Sequence, residues 1–381
     1  MEETHNKMTP EHNQRQDLWD WAHNLPKIDL HRHLEGSLRL ETLSDLAQAH
    51  GICDLPSTDA EKLRPYVQIT NEPWGFENFL AKFGVLRRFY TSKEAVQRIA
   101  REAILDAAAD NVKYLELRFN PVALSRVQNF PLGHVVEWVL ETVELTQDEC
   151  GTRTCLIFQI GRDEPLSVAD QIVDLAIEHF GGVVRGVDLA GNEAIYPADR
   201  FAPTFQRAKE AGLNITIHAG EAVDADSASS IRTAVMYLNA QRIGHGIRAI
   251  ENFNVVQMLH DRQITLEVCP TSNLHTGVVR GMTQHPLFDL FNLGLRVTLN
   301  TDDPSVSATT LTDEYVVAVA GIGLEQRLIY RMLRNSADAA FIPEEERDRL
   351  IQSFRDWLTP YPGAVEEFDS AYKKGGPPTK A

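Results

Sequence analysis

Eight short runs of aliphatic and β-branched residues recur along the 381 residues, and after the first each is preceded by a helical pattern. They are "KIDLHRHLEG" from Lys27, "VKYLELRFNP" from Val112, "RTCLIFQIGR" from Arg153 and "VRGVDLAGNE" from Val184. Then come "NITIHAGE" from Asn214, "RIGHGI" from Arg242, "ITLEVCPTSN" from Ile264 and "LRVTLNTDD" from Leu295. Amphipathic stretches such as "SKEAVQRIAREAILDAAADN" (92–111) and "SASSIRTAVMYLNA" (227–240) lie between them. Strands alternating with helices make a parallel sheet. Eight such units predict a closed (β/α)8 TIM-type barrel. An open, doubly wound sheet is the alternative, but no strand runs into a GxGxxG turn.

Nearly every run ends in polar, reactive residues: His31/His33, Arg118–Asn120, Asp188, His218/Glu221, His245, Ser272–Asn273 and Asp302/Asp303. A barrel gathers its C-terminal strand ends at one mouth, where active sites lie. Side chains two apart on a strand share a face, so His31 and His33 aim at one spot. Taken alone they could be a hydrogen-bonded histidine pair. With His218 and Asp302, from strands five and eight, they could instead give a metal four ligands. Strands one and eight become neighbours when the barrel closes. Glu221, three residues past His218, can reach the mouth without competing for that metal. His245 sits between glycines that allow close backbone approach. "TDDP" by itself would read as a solvated turn. At the end of strand eight, one of its carboxylates can ligate metal while the other meets substrate.

Composition excludes several classes. A chain that is 43% hydrophobic and 24% charged suits a soluble globular protein with a large core. A net charge of −17 argues against nucleic acid or an anionic membrane as partner. No apolar run is long enough to span a bilayer, and the polar start "MEETHNKMTPEHNQRQ" has no signal core. Cys53, Cys150, Cys155 and Cys269 show no CxxC spacing and read as reduced thiols, so a cytoplasmic location is expected. Residues 1–16 and 373–381 are expected to be disordered, with one barrel domain over 17–372. Residues 52–91, including the aromatic "NEPWGFENFLAKFGVLRRFY", form a helical insertion after strand one: a lid over the mouth or a pair packed on the barrel side. Trp74 and Phe76 are expected to pack rather than stack on substrate. Extra helices follow from about residue 325, where "IPEEERDRLIQSF" opens with proline and acids, as helix starts do. His5, His12, His23, His50, His134, His179 and His260 read as solvated or capping groups.

Six motifs, "LHRHLEGS", "GVDLAGNE", "IHAGE", "IGHG", "LEVCPTSN" and "LNTDDP", stand in the order of the adenosine deaminase family of the amidohydrolase superfamily, which the chain resembles over residues 27–305. The resemblance implies one Zn2+ per chain and hydrolysis of a 6-aminopurine nucleoside (adenosine or 2′-deoxyadenosine) to the 6-oxo compound and ammonia. It implies that His31, His33, His218 and Asp302 hold zinc and that Glu221 protonates ring N1. His245 would orient the water, Asp303 would bond N7, and the Gly191 N–H would meet N3. His33 would also bind substrate, and Glu35 would stand at the ribose 5′ end. Glu35 stands where the best-known adenosine deaminases carry Asp, so adenine and aminodeoxyfutalosine are alternative substrates. Strand four, "GVDLAGNE", lacks the lysine that bridges two metals in binuclear amidohydrolases. The PCxxC pattern of the other zinc deaminases is absent. A non-catalytic purine-binding barrel would be expected to lack Glu221, Asp302 or Asp303, and all three are present.

Overall fold

A computed structural model describes residues 10–52 and 55–370. Its eight strands are β1 (Lys27–His33), β2 (Val112–Phe119), β3 (Arg153–Gly161), β4 (Val184–Ala190), β5 (Asn214–Ala219), β6 (Arg242–His245), β7 (Thr265–Val268) and β8 (Arg296–Leu299). They form one parallel sheet in the order β1 to β8. Past the end of β8 the sheet meets its own start. Asp302 bridges Arg32, His33 N donates to Asp302 O at 2.8 Å, and Asp302 N donates to His31 O at 2.7 Å. The (β/α)8 barrel expected from the alternation is thereby formed.

Almost every strand residue is buried, because helices cover the outer face while side chains fill the inside. The predicted helix at 92–111 spans Lys93–Ala109, and Ser92 caps it by accepting from Ala95 N. The acidic start at Glu344–Glu346 opens helix Glu344–Leu358 behind Pro343. The predicted insertion contains helices Ala60–Val67 and Phe76–Leu86.

The start differs from expectation. Residues 10–16 belong to helix Pro10–Asn24. This helix is held down by buried Ala22 and by Trp21 Nε1 donating to Tyr330 OH at 3.1 Å. Residues 1–9 and the 373–381 tail lie outside the described residues. Cys150, Cys155 and Cys269 are free thiols, and Cys53 is not described. Among the described residues, no helix is long and apolar enough to cross a membrane.

Candidate active site

The strand ends converge as the barrel requires. Ligating atoms of His31, His218, His245 and Asp302 all lie within 4.8 Å of one another, as do those of His33, Asp302 and Asp303. Shorter distances single out four of these residues. His33 Nε2 lies 3.2 Å from both His31 Nε2 and His218 Nε2. Asp302 Oδ1 lies 3.1 Å from His31 Nε2 and from His33 Nε2.

The outer nitrogen of each ring is already engaged. His31 Nδ1 meets Glu267 Oε2 at 2.7 Å, His33 Nδ1 meets Gln159 Oε1 at 2.7 Å, and His218 Nδ1 meets Asp188 Oδ1 at 3.0 Å. All three partners are acceptors, so each Nδ1 carries the proton and each Nε2 turns its lone pair inward. Three lone pairs and a carboxylate oxygen pointing at one place would repel unless a cation sits there. The field shows the same demand. Burial opposes charging His33, yet Asp303 and Asp302 outweigh it and lift its pKa to about 9. A proton on His33 or a metal ion at the cluster satisfies that field. Burial holds His218 near 4 despite Asp188, so it is neutral and ready to ligate. A nitrogen-rich, one-carboxylate donor set of this kind fits zinc.

Around the cluster lie the other residues that the motifs predict. Burial, with the nearby Asp302 and Glu193 charges, raises the Glu221 carboxyl well above the usual range, which favours its proton-carrying form. Its backbone is fixed by Glu193, whose carboxylate accepts from Gly220 N, Glu221 N and Ala222 N at 3.0, 2.7 and 2.8 Å. Burial keeps the His245 ring neutral, and its Nε2 has no hydrogen-bond partner. That atom lies 3.6 Å from Glu221 Oε1 and 3.8 Å from Asp302 Oδ2. Asp303 is raised by burial and by Asp302 beside it, and its Oδ1 is also unpartnered.

Two glycines make this packing possible. A Cβ on Gly244 would meet His31 Cε1 at 2.9 Å, and one on Gly36 would overlap the Asp303 carboxylate at 1.8 Å. Glu35 accepts from Asn120 N at 2.9 Å through Oε1, while Oε2 is buried without a partner.

A cavity opens over the cluster. His33, His218, Glu221, Asp302 and Asp303 line its floor, with Glu35 and Gly191 beside them. Its wall is Phe76, Phe79, Leu80 and Phe83 from the insertion, together with Arg87. The insertion therefore lies at the mouth rather than on the barrel's side. Phe76 lines the cavity, while Trp74 is half exposed. The cause is a long-range contact: Gly75 N donates to His275 O at 2.9 Å, and this docks the start of helix Phe76–Leu86 on the short helix Pro270–His275 after β7.

An adenosine deaminase family model matches residues 26–357. Adenosine deaminase of Aliivibrio fischeri is 37% identical over 326 residues, 86% of this chain and 96% of that one. The chain belongs to the adenosine deaminase family. It is thus an enzyme, a hydrolase acting on C–N bonds. Solved relatives of this adenosine deaminase family member share the barrel. An adenine deaminase from Arthrobacter aurescens is 29% identical, with a TM-score of 0.79 over 88% of this chain and 99% of that one. Arabidopsis ADAL complexed with IMP is also 29% identical, with a TM-score of 0.79 over 90% and 99%.

Several supporting residues were not singled out from the sequence. Glu193 and Glu267 stood inside quoted motifs without a task. Gln159 sits in β3 with no motif around it. Arg118, named only as a polar strand end, is fully buried and joins Asp188 at 3.1 Å to Glu267 at 2.9 Å.

Proposed function

We propose that the enzyme hydrolyses the 6-amino group of adenosine and 2′-deoxyadenosine, releasing inosine or deoxyinosine and ammonia, with one zinc ion per chain. The observation that carries this reading is the triad of inward Nε2 lone pairs and Asp302, facing the Glu221 carboxyl in one cavity. Zinc held by His31, His33, His218 and Asp302 would acidify a water toward neutrality and so supply the nucleophile.

The chain's own groups do the rest. Glu221 gives its proton to ring N1, which breaks the aromaticity and makes C6 electrophilic; general acids of this kind contribute about 10²–10⁴-fold. His245 orients the attacking water and stabilises charge on its oxygen. Protonated Asp303 donates to N7, and the Gly191 N–H meets N3. The aromatic wall excludes water from the base. At the sugar side, the free Oε2 of Glu35 meets the 5′-hydroxyl near His33. A site built to bond a hydroxyl discriminates strongly against ligands that lack it.

Arg87 favours a second reading. It lines the same cavity and its Nε is buried without a partner, so an anionic group extended from the 5′ end, as in aminodeoxyfutalosine, could pair with it. Ammonia release from adenosine, 2′-deoxyadenosine, 5′-deoxyadenosine, adenine and aminodeoxyfutalosine decides between these. Adenosine is expected to have the highest kcat/KM and 5′-deoxyadenosine a reduced one. A preference for adenine would defeat the nucleoside reading, and a preference for the extended compound would select the second. Elemental analysis should find one zinc per chain. Glu221→Gln should keep the metal and lose several orders of magnitude in turnover.

A further inference from the structure

His245 is the ring whose proton position matters most, because only an Nε2–H can donate to the attacking oxygen. Its other nitrogen, Nδ1, lies 3.1 Å from Asn273 Nδ2. Asn273 Oδ1 lies 3.1 Å from His285 Nε2, and His285 Nδ1 receives the backbone N–H of Leu287 at 3.1 Å. The side chains of His245 and Asn273 are fully buried and that of His285 nearly so.

The direction of this chain follows from its far end. A backbone N–H can only donate, so His285 Nδ1 is an acceptor. A neutral imidazole carries one proton, so His285 Nε2 bears it and donates to Asn273 Oδ1. Burial holds the His285 pKa near 3, which keeps the ring neutral. Turning the Asn273 amide over would leave His285 with two acceptor nitrogens and no proton, which a neutral ring does not have. The amide therefore presents NH2 to His245 Nδ1, which must accept. The His245 proton is left on Nε2, the unpartnered atom beside Glu221 and Asp302.

We propose that Leu287 N–H, His285 and Asn273 form a positioning relay that fixes the His245 tautomer with its proton toward the reacting centre. Neither Asn273 nor His285 lines the cavity. They act through His245 from the short helix Pro270–His275 after β7 and from the segment that precedes helix Leu287–Asn292. The proposal rests on the deaminase reading for the use of that proton, but the tautomer itself can be observed without turnover.

Asn273→Asp separates the relay from a packing role. Asp has the same shape, yet its carboxylate can only accept from His245 Nδ1–H and so draws the proton away from Nε2. Misplacing a tautomer costs up to about 10⁴-fold where the geometry is otherwise intact. Asn273→Asp should lower kcat by about 10²–10⁴-fold, with KM and zinc content close to those of the unaltered enzyme. The ¹⁵N resonances of His245 should report Nε2–H in the unaltered protein and Nδ1–H in Asn273→Asp. His285→Leu, which frees the amide to turn, should give a mixture of the two forms and a smaller loss in kcat. An Nδ1–H form in the unaltered protein, or the same tautomer and kcat in Asn273→Asp, would overturn the relay. If Asn273→Asp fails to fold, the resonances of the unaltered protein and of His285→Leu decide it alone. Absence of turnover of adenosine, adenine and aminodeoxyfutalosine alike in the unaltered enzyme, with His245 as Nε2–H, would sink the deaminase reading and leave the relay standing.

Discussion

Glu267 on β7 is the place where the barrel interior and the metal cluster share one charge. Its Oε2 accepts from His31 Nδ1 at 2.7 Å and Arg118 Nη2 at 2.9 Å. Its Oε1 accepts from Thr216 Oγ1 at 3.0 Å and lies 2.6 Å from Arg242 Nε. Burial alone would raise such a carboxyl, but the Arg118 and Arg242 charges hold it well below its usual range. Glu267→Gln keeps the shape and removes the charge. The new NH2 must face one of the two sides. The Oε1 side holds Thr216, which can rotate its hydroxyl to accept, and one group that can only donate, Arg242, whereas His31 and Arg118 on the Oε2 side can both only donate, so the amide oxygen stays with His31.

Arg118 and Arg242 then lose a carboxylate but keep Asp188 and Glu116. Breaking a buried pair costs about 3–5 kcal/mol, and the remaining partners place this change at the low end, about 3 kcal/mol. That corresponds to a fall in Tm on the order of 5 °C for a chain of this size. Metal affinity should fall by about tenfold, the lower edge for losing a supporting partner. Thermal unfolding of the metal-free protein and competition with a chromophoric chelator measure the two effects. Because the folded pKa is depressed, this stabilisation is fully present above the unfolded value of about 4.3 and fades as pH falls below it. The gap between the two proteins should therefore narrow in acid. A metal-free Glu267→Gln with unchanged Tm and unchanged zinc affinity would refute the reasoning that an ionised Glu267 anchors both networks.

Two further outcomes follow from the same geometry. Gln159→Leu removes the acceptor from His33 Nδ1–H and should weaken zinc binding by about 10–100-fold, read in the same chelator competition, while zinc-saturated turnover changes less. His218 and His285 are held near pKa 4 and 3 by burial. The unfolded chain therefore takes up protons first, and the metal-free protein should lose several kcal/mol as pH falls from about 6.5 to 4. His33, raised to about 9, works in the opposite sense: it contributes stability below pH 6.5 that is lost as pH rises through 9. Urea unfolding across pH 4–10 checks both signs.

The strands and the motif residues were legible because their signals are local. The runs beginning at Val112, Arg153, Val184, Asn214 and Arg242 start the observed strands at the same residues, since a parallel barrel strand is a short apolar run between helices. His31, His33, Glu35, Gly191, His218, Glu221, His245, Asp302 and Asp303 come to one mouth because a barrel puts every strand's C-terminal end there. What supports them depends on register across the sheet. Gln159 is 126 residues from His33, and Glu267 is 236 from His31; neither spacing carries a pattern along the chain. The place of Phe76 in the cavity wall was not legible, because it depends on where Gly75 docks, a contact made with residue 275.

Asp302 shows why fold and site became legible together. It has a left-handed φ of 62°, as His245 has at 59°, and non-glycine residues held in that region cost about 1–3 kcal/mol each. At Asp302 the cost is offset by the two backbone hydrogen bonds that stitch the end of the eighth strand to His31 and His33. The same turn of the backbone that closes the barrel swings the carboxylate inward, 3.1 Å from both of those histidines. The ring of strands is sealed through the residue that completes the donor set. Removing the carboxylate there would empty the cluster while leaving both backbone bonds of the seam in place, and Glu221, clamped through its backbone by Glu193, can be changed without touching either.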